Sequence, residues 1–362
     1  MKRDDSVSIA KGIAIILMVF GHSIYDCYVN DYLILIRMPL FFIMSGYLFK
    51  EKYTTEPYTF INKRIKGIYI PLVKYSLLFL FLHNIFFIIG IYNDIYIDSG
   101  DVSRLYAPID FIKKGFRIIT SMQSYDRLLG GYWFIHSLFW GSLIFFFIKK
   151  TLNNSIISLI LLLVSSYVFN YYNIAIPYFR INWLCLYAAF FIMIGHVYKK
   201  NNFNIHLNNY FLIAGLIFIG IIAYISPTSM TNCKHFQLLP YSTAAIIGTF
   251  IILRISNHIM YKNNTLSKIL IWIGGQTFAI LTWHMLSFKI ISIIIILIYK
   301  EPFYRLAETL TINDYLVKGW WIAYWIIGVT IPILLNYSIS NLNNKVLLLN
   351  KIIKQKNSNH LI

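Results

Sequence analysis

The chain is a succession of long apolar blocks separated by short polar ones. Each block runs for about 17 to 25 residues, the length a helix needs to cross a hydrocarbon core of roughly 30 Å. This pattern predicts ten helical spans, at about 8–27, 32–50, 70–92, 132–149, 155–173, 182–198, 209–225, 239–258, 276–298 and 320–341. A membrane β-barrel would instead show alternating segments of about ten residues, and none is present. The expected fold class is therefore an all-α integral membrane protein of about ten transmembrane helices.

Composition agrees: 58% of the 362 residues are hydrophobic and 13% are charged, against about 25% charged in soluble domains. The net charge of +18 raises the question of nucleic acid, but its distribution argues against that partner. One alternate set of connections, with the adjoining span ends, holds 20 of the 32 basic residues and only four acids, Asp4, Asp5, Glu51 and Glu56. The positive-inside rule assigns that set, and both termini, to the cytoplasm. No cleavage site follows the first apolar run, so it is expected to remain as a span. Cys27, Cys185 and Cys233 have no metal-ligand spacing, and no metal is expected. Most connections are short; residues 93–131, on the outer side, are the exception. The Asn- and Lys-rich stretch from 342 to 362 is expected to be a cytoplasmic tail. No internal repeat is visible, so the repeat signature of many transporters is missing.

Ionisable side chains inside spans are costly and thereby mark candidate chemistry. His22 lies near the outer end of the first span, eleven residues after Lys11. That spacing is about three helical turns, which puts both on one face roughly 16 Å apart. Asp26 follows at i+4, where a carboxylate would orient an imidazole and raise its basicity. Arg37, in the second span, is expected at the depth of His22, roughly 8 Å inside the membrane. There it would stabilise an oxyanion or anchor an acidic group; the alternative is a side chain snorkelling to the head groups. Lys63, Arg64 and Lys66 precede Pro71 on the cytoplasmic side. They suit phosphates, although an ordinary positive-inside loop has the same composition. His83, His136 and His284 are also intramembrane, and each alone reads first as a packing residue. There is no GxSxG, HExxH, Walker A, GxGxxG or CxxC motif.

At these residues the chain resembles the membrane-bound acyltransferase family 3, particularly its polysaccharide and sugar O-acetyltransferase branch. Lys11 and His22, within AKGIAIILMVFGHS, are similar to the family's basic-residue–ten–His motif. The segment MPLFFIMSGYLF (Met38–Phe49), the basic run from Arg64 to Pro71, Gly131-Tyr-Trp-Phe-Ile and the segment from Ile273 to His284 are similar to later signatures. Departures are Ser8 where many members have Asp, Arg37 where His is frequent, and Gly67 in place of a second arginine.

The resemblance implies an acyltransferase-like transmembrane domain over residues 1–341, in a multi-pass protein of the bacterial cytoplasmic membrane. It implies a cytoplasmic acyl-CoA co-substrate, most often acetyl-CoA, held by Lys11, Lys63, Arg64 and Lys66. The acceptor would be a glycan or lipid-linked sugar. His22 would be the general base, supported by Asp26 and Arg37, and Trp133 and His284 would contribute to the substrate site. Membrane lipids are the other expected partners, and a homo-oligomer is compatible with the sequence. A transporter or flippase of a glycan intermediate, or a structural envelope protein, is the competing class; neither would consume acyl-CoA.

Overall fold

The computed structural model describes residues 5–24, 27–95, 101–152, 154–201 and 209–359. Among these, helices follow one another almost without interruption. They are α1 (Asp5–Ser23), α2 (Tyr28–Tyr47), α3 (Lys52–Thr55), α4 (Pro57–Arg64), α5 (Ile70–Ile88), α6 (Pro108–Ser121), α7 (Tyr132–Thr151) and α8 (Ser155–Tyr171). There follow α9 (Trp183–Lys200), α10 (Asn209–Ile225), α11 (Leu238–Lys262), α12 (Thr265–Gly274), α13 (Thr277–Tyr299), α14 (Asn313–Tyr315) and α15 (Trp321–Asn359). The described strands are β1 (Ala175–Ile176) and β2 (Ile181–Asn182), an antiparallel hairpin before α9.

The protein is an all-α multi-pass membrane protein. Each of the ten predicted intervals contains a helix. Among the described residues, seven helical stretches are long and apolar enough to cross a bilayer. The predicted intervals at 155–173, 182–198 and 209–225 hold the helices that fall outside those seven. At 17 residues, α8 and α10 are about 26 Å long, somewhat short of the hydrocarbon thickness.

Three expected connections turn out to be structured. Residues 57–88 form one helical run, in which a π-helical turn, Ile65–Tyr69, joins α4 to α5. Pro71 lies just beyond that turn. A proline has no N–H to give to the carbonyl four residues back, and a wider turn absorbs the break without ending the helix. The long outer connection contains α6, started by Pro108 in its first turn and stopped by Met122 in the left-handed conformation (φ 55°). The stretch expected as a loop at 259–275 contains α12, whose N-cap Asn264 accepts from the Ser267 N–H at 3.0 Å.

Small residues set the tightest helix crossings, as expected where lipid supplies no hydrophobic drive between helices. Gly46 of α2 meets the Ile192 carbonyl of α9, and Gly195 of α9 meets the Ile43 carbonyl of α2. Gly12 of α1 and Gly274 of α12 interlock in the same reciprocal way, against Leu270 and Ser8. All three cysteines are free thiols.

Candidate active site

Lys11, Ile15, Met18 and His22 are separated by four, three and four residues, so they form one stripe along α1. That stripe faces open space. Lys11, Ile15 and Met18 line a cavity of about 370 Å³, and Met18 and His22 line a second of about 210 Å³. The two cavities share Met18, Met38 and Leu281, which form a neck between them. The walls come from α1, α2, α7 and α13.

Beyond the neck on the Lys11 side, the larger cavity is bordered by Lys63 and Arg64 at the end of α4. Lys63 Nζ donates to the Tyr53 hydroxyl at 2.8 Å. Arg64 Nη2 donates to Ser45 Oγ at 3.1 Å, and its guanidinium lies 4.9 Å from the Phe60 ring centre. Between these cations and the neck the lining is apolar, from Phe41, Phe134 and Leu138 among others. Lys66 is exposed and borders a separate surface depression with Lys63.

The smaller cavity brings His22 and Arg37 together. Arg37 is only 5% exposed, so it does not snorkel. Its Nη1 donates to Asn30 Oδ1 at 3.1 Å, and its guanidinium lies directly on the backbone of Gly21, where any side chain would collide with it. Trp133, at the start of α7, and Ser229, Met230 and Thr231, from the connection before α11, complete the wall.

His284 of α13 packs beside His22, with ring centres 5.4 Å apart and planes inclined by 32°. Its Nδ1 lies 2.9 Å from the Ile280 carbonyl and 3.1 Å from that of Leu281. Carbonyls only accept, so Nδ1 carries the proton and Nε2 is left as an acceptor. That Nε2 is buried and bonds to no described residue.

The structure thus unites His22, Arg37, Trp133 and His284 around one cavity, and Lys11, Lys63 and Arg64 around the adjoining one. Asp26 lies outside the described residues, and α1 ends at Ser23 instead of the expected 27. His83 and His136 are elsewhere: His83 stacks on Tyr106, 3.5 Å between ring centres, and His136 Nε2 donates to the Phe179 carbonyl. The neck residues Met18, Met38 and Leu281 fall within segments that resemble the family, but nothing in the sequence marked them as lining a cavity; the Ser229–Thr231 segment carries no motif.

The transmembrane helical fold therefore encloses a cationic cavity next to a histidine–arginine cavity, the arrangement of a membrane enzyme. Residues 4–342 match the family model described as an acyltransferase domain, and the chain belongs to acyltransferase family 3. No curated protein and no solved structure matches the chain. The protein is accordingly a membrane acyltransferase, of a family generally associated with O-acetylation.

Proposed function

We propose that this acyltransferase moves an acyl group, most often acetyl, from cytoplasmic acyl-CoA to a hydroxyl of a cell-envelope glycan or lipid-linked sugar, in the bacterial cytoplasmic membrane. The observation that carries this reading is the neck at Met18, Met38 and Leu281, where the cationic cavity meets the His22 cavity. Lys11, Lys63 and Arg64 pair with the phosphates of the donor, and exposed Lys66 adds long-range attraction. The apolar lining suits the pantetheine arm, which delivers the thioester to the neck.

His22 removes the proton from the acceptor hydroxyl as its oxygen attacks the thioester carbonyl carbon. Arg37 donates hydrogen bonds to the carbonyl oxygen as that atom takes on negative charge. The tetrahedral intermediate collapses by breaking the C–S bond, and the proton on His22 passes to the departing CoA thiolate. The products are an acyl ester and CoA. His284 Nε2, without a described partner and next to the His22 ring, becomes the acceptor for one His22 N–H when His22 turns to the acceptor hydroxyl, which fixes the His22 tautomer and leaves its other nitrogen as the base. Asp26 serves in this scheme as the negative charge that stabilises the His22 imidazolium formed in the reaction, and Trp133 borders the acceptor route.

The test compares cells carrying wild-type and His22→Ala protein by mass spectrometry of their surface glycans, and follows acetyl-CoA consumption in isolated membranes. Wild type should add acetyl increments to the glycan and consume acetyl-CoA, and His22→Ala should do neither. Movement of unmodified glycan without acetyl-CoA consumption would favour a transporter and sink the proposal.

A further inference from the structure

A third cavity, of about 220 Å³, shares Trp133 with the His22 cavity. It is built from the 122–131 segment, the first turns of α7, and the β1–β2 hairpin. Its chemistry differs from that of the two cavities described above. Ser124, Asp126, His136, Arg180 and Asn182 all line it, and Trp133 supplies an aromatic face.

Several of these polar groups are not fully engaged by the protein. Ser124 Oγ is buried and bonds to no described residue. Arg180 makes no hydrogen bond or ion pair with a described residue, and it sits at φ 54°, in the left-handed region where non-glycine residues are strained. Met122, on the opposite wall, has φ 55°. Such strained positions gather at functional sites. Asp126 takes the Tyr92 hydroxyl (2.6 Å) and the Leu128 N–H (2.9 Å) on one oxygen, and no described residue bonds the other. Burial pushes its carboxyl up to about 6, against the opposing pull of those two donors and of Arg127. His136 is engaged on both sides: its Nε2 donates to the Phe179 carbonyl at 3.1 Å and its Nδ1 accepts from the Cys185 thiol at 3.8 Å.

Donors and acceptors therefore alternate around a small cavity with one aromatic wall. A sugar ring matches that arrangement, because each hydroxyl both donates and accepts and each ring has an apolar face. We propose that this cavity is the acceptor subsite. It binds one saccharide unit against Trp133, with Arg180 donating to its hydroxyls and Ser124 and Asp126 accepting from them. The hydroxyl to be acylated then reaches past Trp133 to His22. This inference rests on the acyl-transfer reading above.

The test uses the full chain, with Arg180→Ala to remove the donor and Ser124→Trp to fill the cavity. Glycan acylation is measured in cells by mass spectrometry, and binding of radiolabelled acetyl-CoA is measured on the same proteins in lipid nanodiscs. Glycan acylation should fall at least tenfold in both variants, while acetyl-CoA binds within twofold of wild type. Wild-type acylation in both variants would overturn the subsite and leave the acyl-transfer reading standing. Loss of acetyl-CoA binding in Arg180→Ala would also overturn it, by placing the residue on the donor side. A wild-type protein that neither binds acetyl-CoA nor modifies glycan would overturn the acyl-transfer reading itself.

Discussion

At the scale of single residues, the site depends on side chains held from behind by backbone. Arg37 reaches His22 because Gly21 offers no side chain in its path. Gly21→Ala puts a methyl where the guanidinium now lies and moves it away from the reacting carbonyl. The expected loss is about 100-fold in kcat, the scale seen when one oxyanion donor is removed, with thermal stability changed little. Equal kcat for Gly21→Ala and wild type would separate Arg37 from the chemistry. In the proposed scheme His284 acts one step further back, on the tautomer of His22. His284→Phe keeps a ring in the pocket but removes the Nε2 acceptor. Its kcat should fall about tenfold or more with the donor KM unchanged, and the alkaline plateau of the pH–rate profile should be altered. A variant that changes only thermal stability would reduce His284 to a packing residue.

At the scale of elements, the helices that carry the site are registered by glycine contacts, and the outer cavity by a buried carboxylate. Gly195→Leu should separate α9 from α2 and abolish the monodisperse peak in detergent chromatography, because the side chain meets the Ile43 carbonyl backbone. Asp126 gives a pH-dependent counterpart. Its carboxyl is raised by burial to about 6, so the folded state disfavours its ionisation. Stability from this group is complete in acid and is lost as pH rises through about 6. Asp126→Asn keeps an oxygen for Tyr92 and Leu128 without the charge. Its melting temperature should match wild type near pH 3, begin to exceed it between pH 4 and 6, and exceed it fully above pH 7, where the ionised carboxylate costs on the order of 3 kcal/mol. The sequence made α1 and α2 legible because apolar length and the Lys11–His22 and Arg37 positions are local signals. It did not reveal α6, α12 or the π-helical turn, since their polar faces resemble loops until tertiary packing covers the other face. It could not pair His22 with His284 either, because that contact is made by folding across the whole chain.

At the scale of the whole molecule, the arrangement is a path in three parts: a cationic cavity, a neck, and a polar outer side. By the positive-inside rule the basic bias of one set of connections puts the Lys63/Arg64 side towards the cytoplasm, the side from which the proposed acyl-CoA donor would enter. In the proposed reaction the neck then separates a donor too polar to cross the membrane from an acceptor on the opposite face, and only the acyl group needs to pass His22. This division makes a prediction that neither half of the site makes alone. Leu281 touches both cavities and lies one turn before His284 on α13. Leu281→Trp should fill the neck while leaving Lys11, Lys63, Arg64, His22 and Arg37 in place. Radiolabelled acetyl-CoA should then bind nanodisc protein with near wild-type affinity, whereas acyl transfer to glycan should fall by two orders of magnitude or more. Retained transfer in this variant would mean that donor and acceptor meet elsewhere. Loss of donor binding together with transfer would show that the larger cavity is not bounded at Leu281 and that the neck does not divide the path.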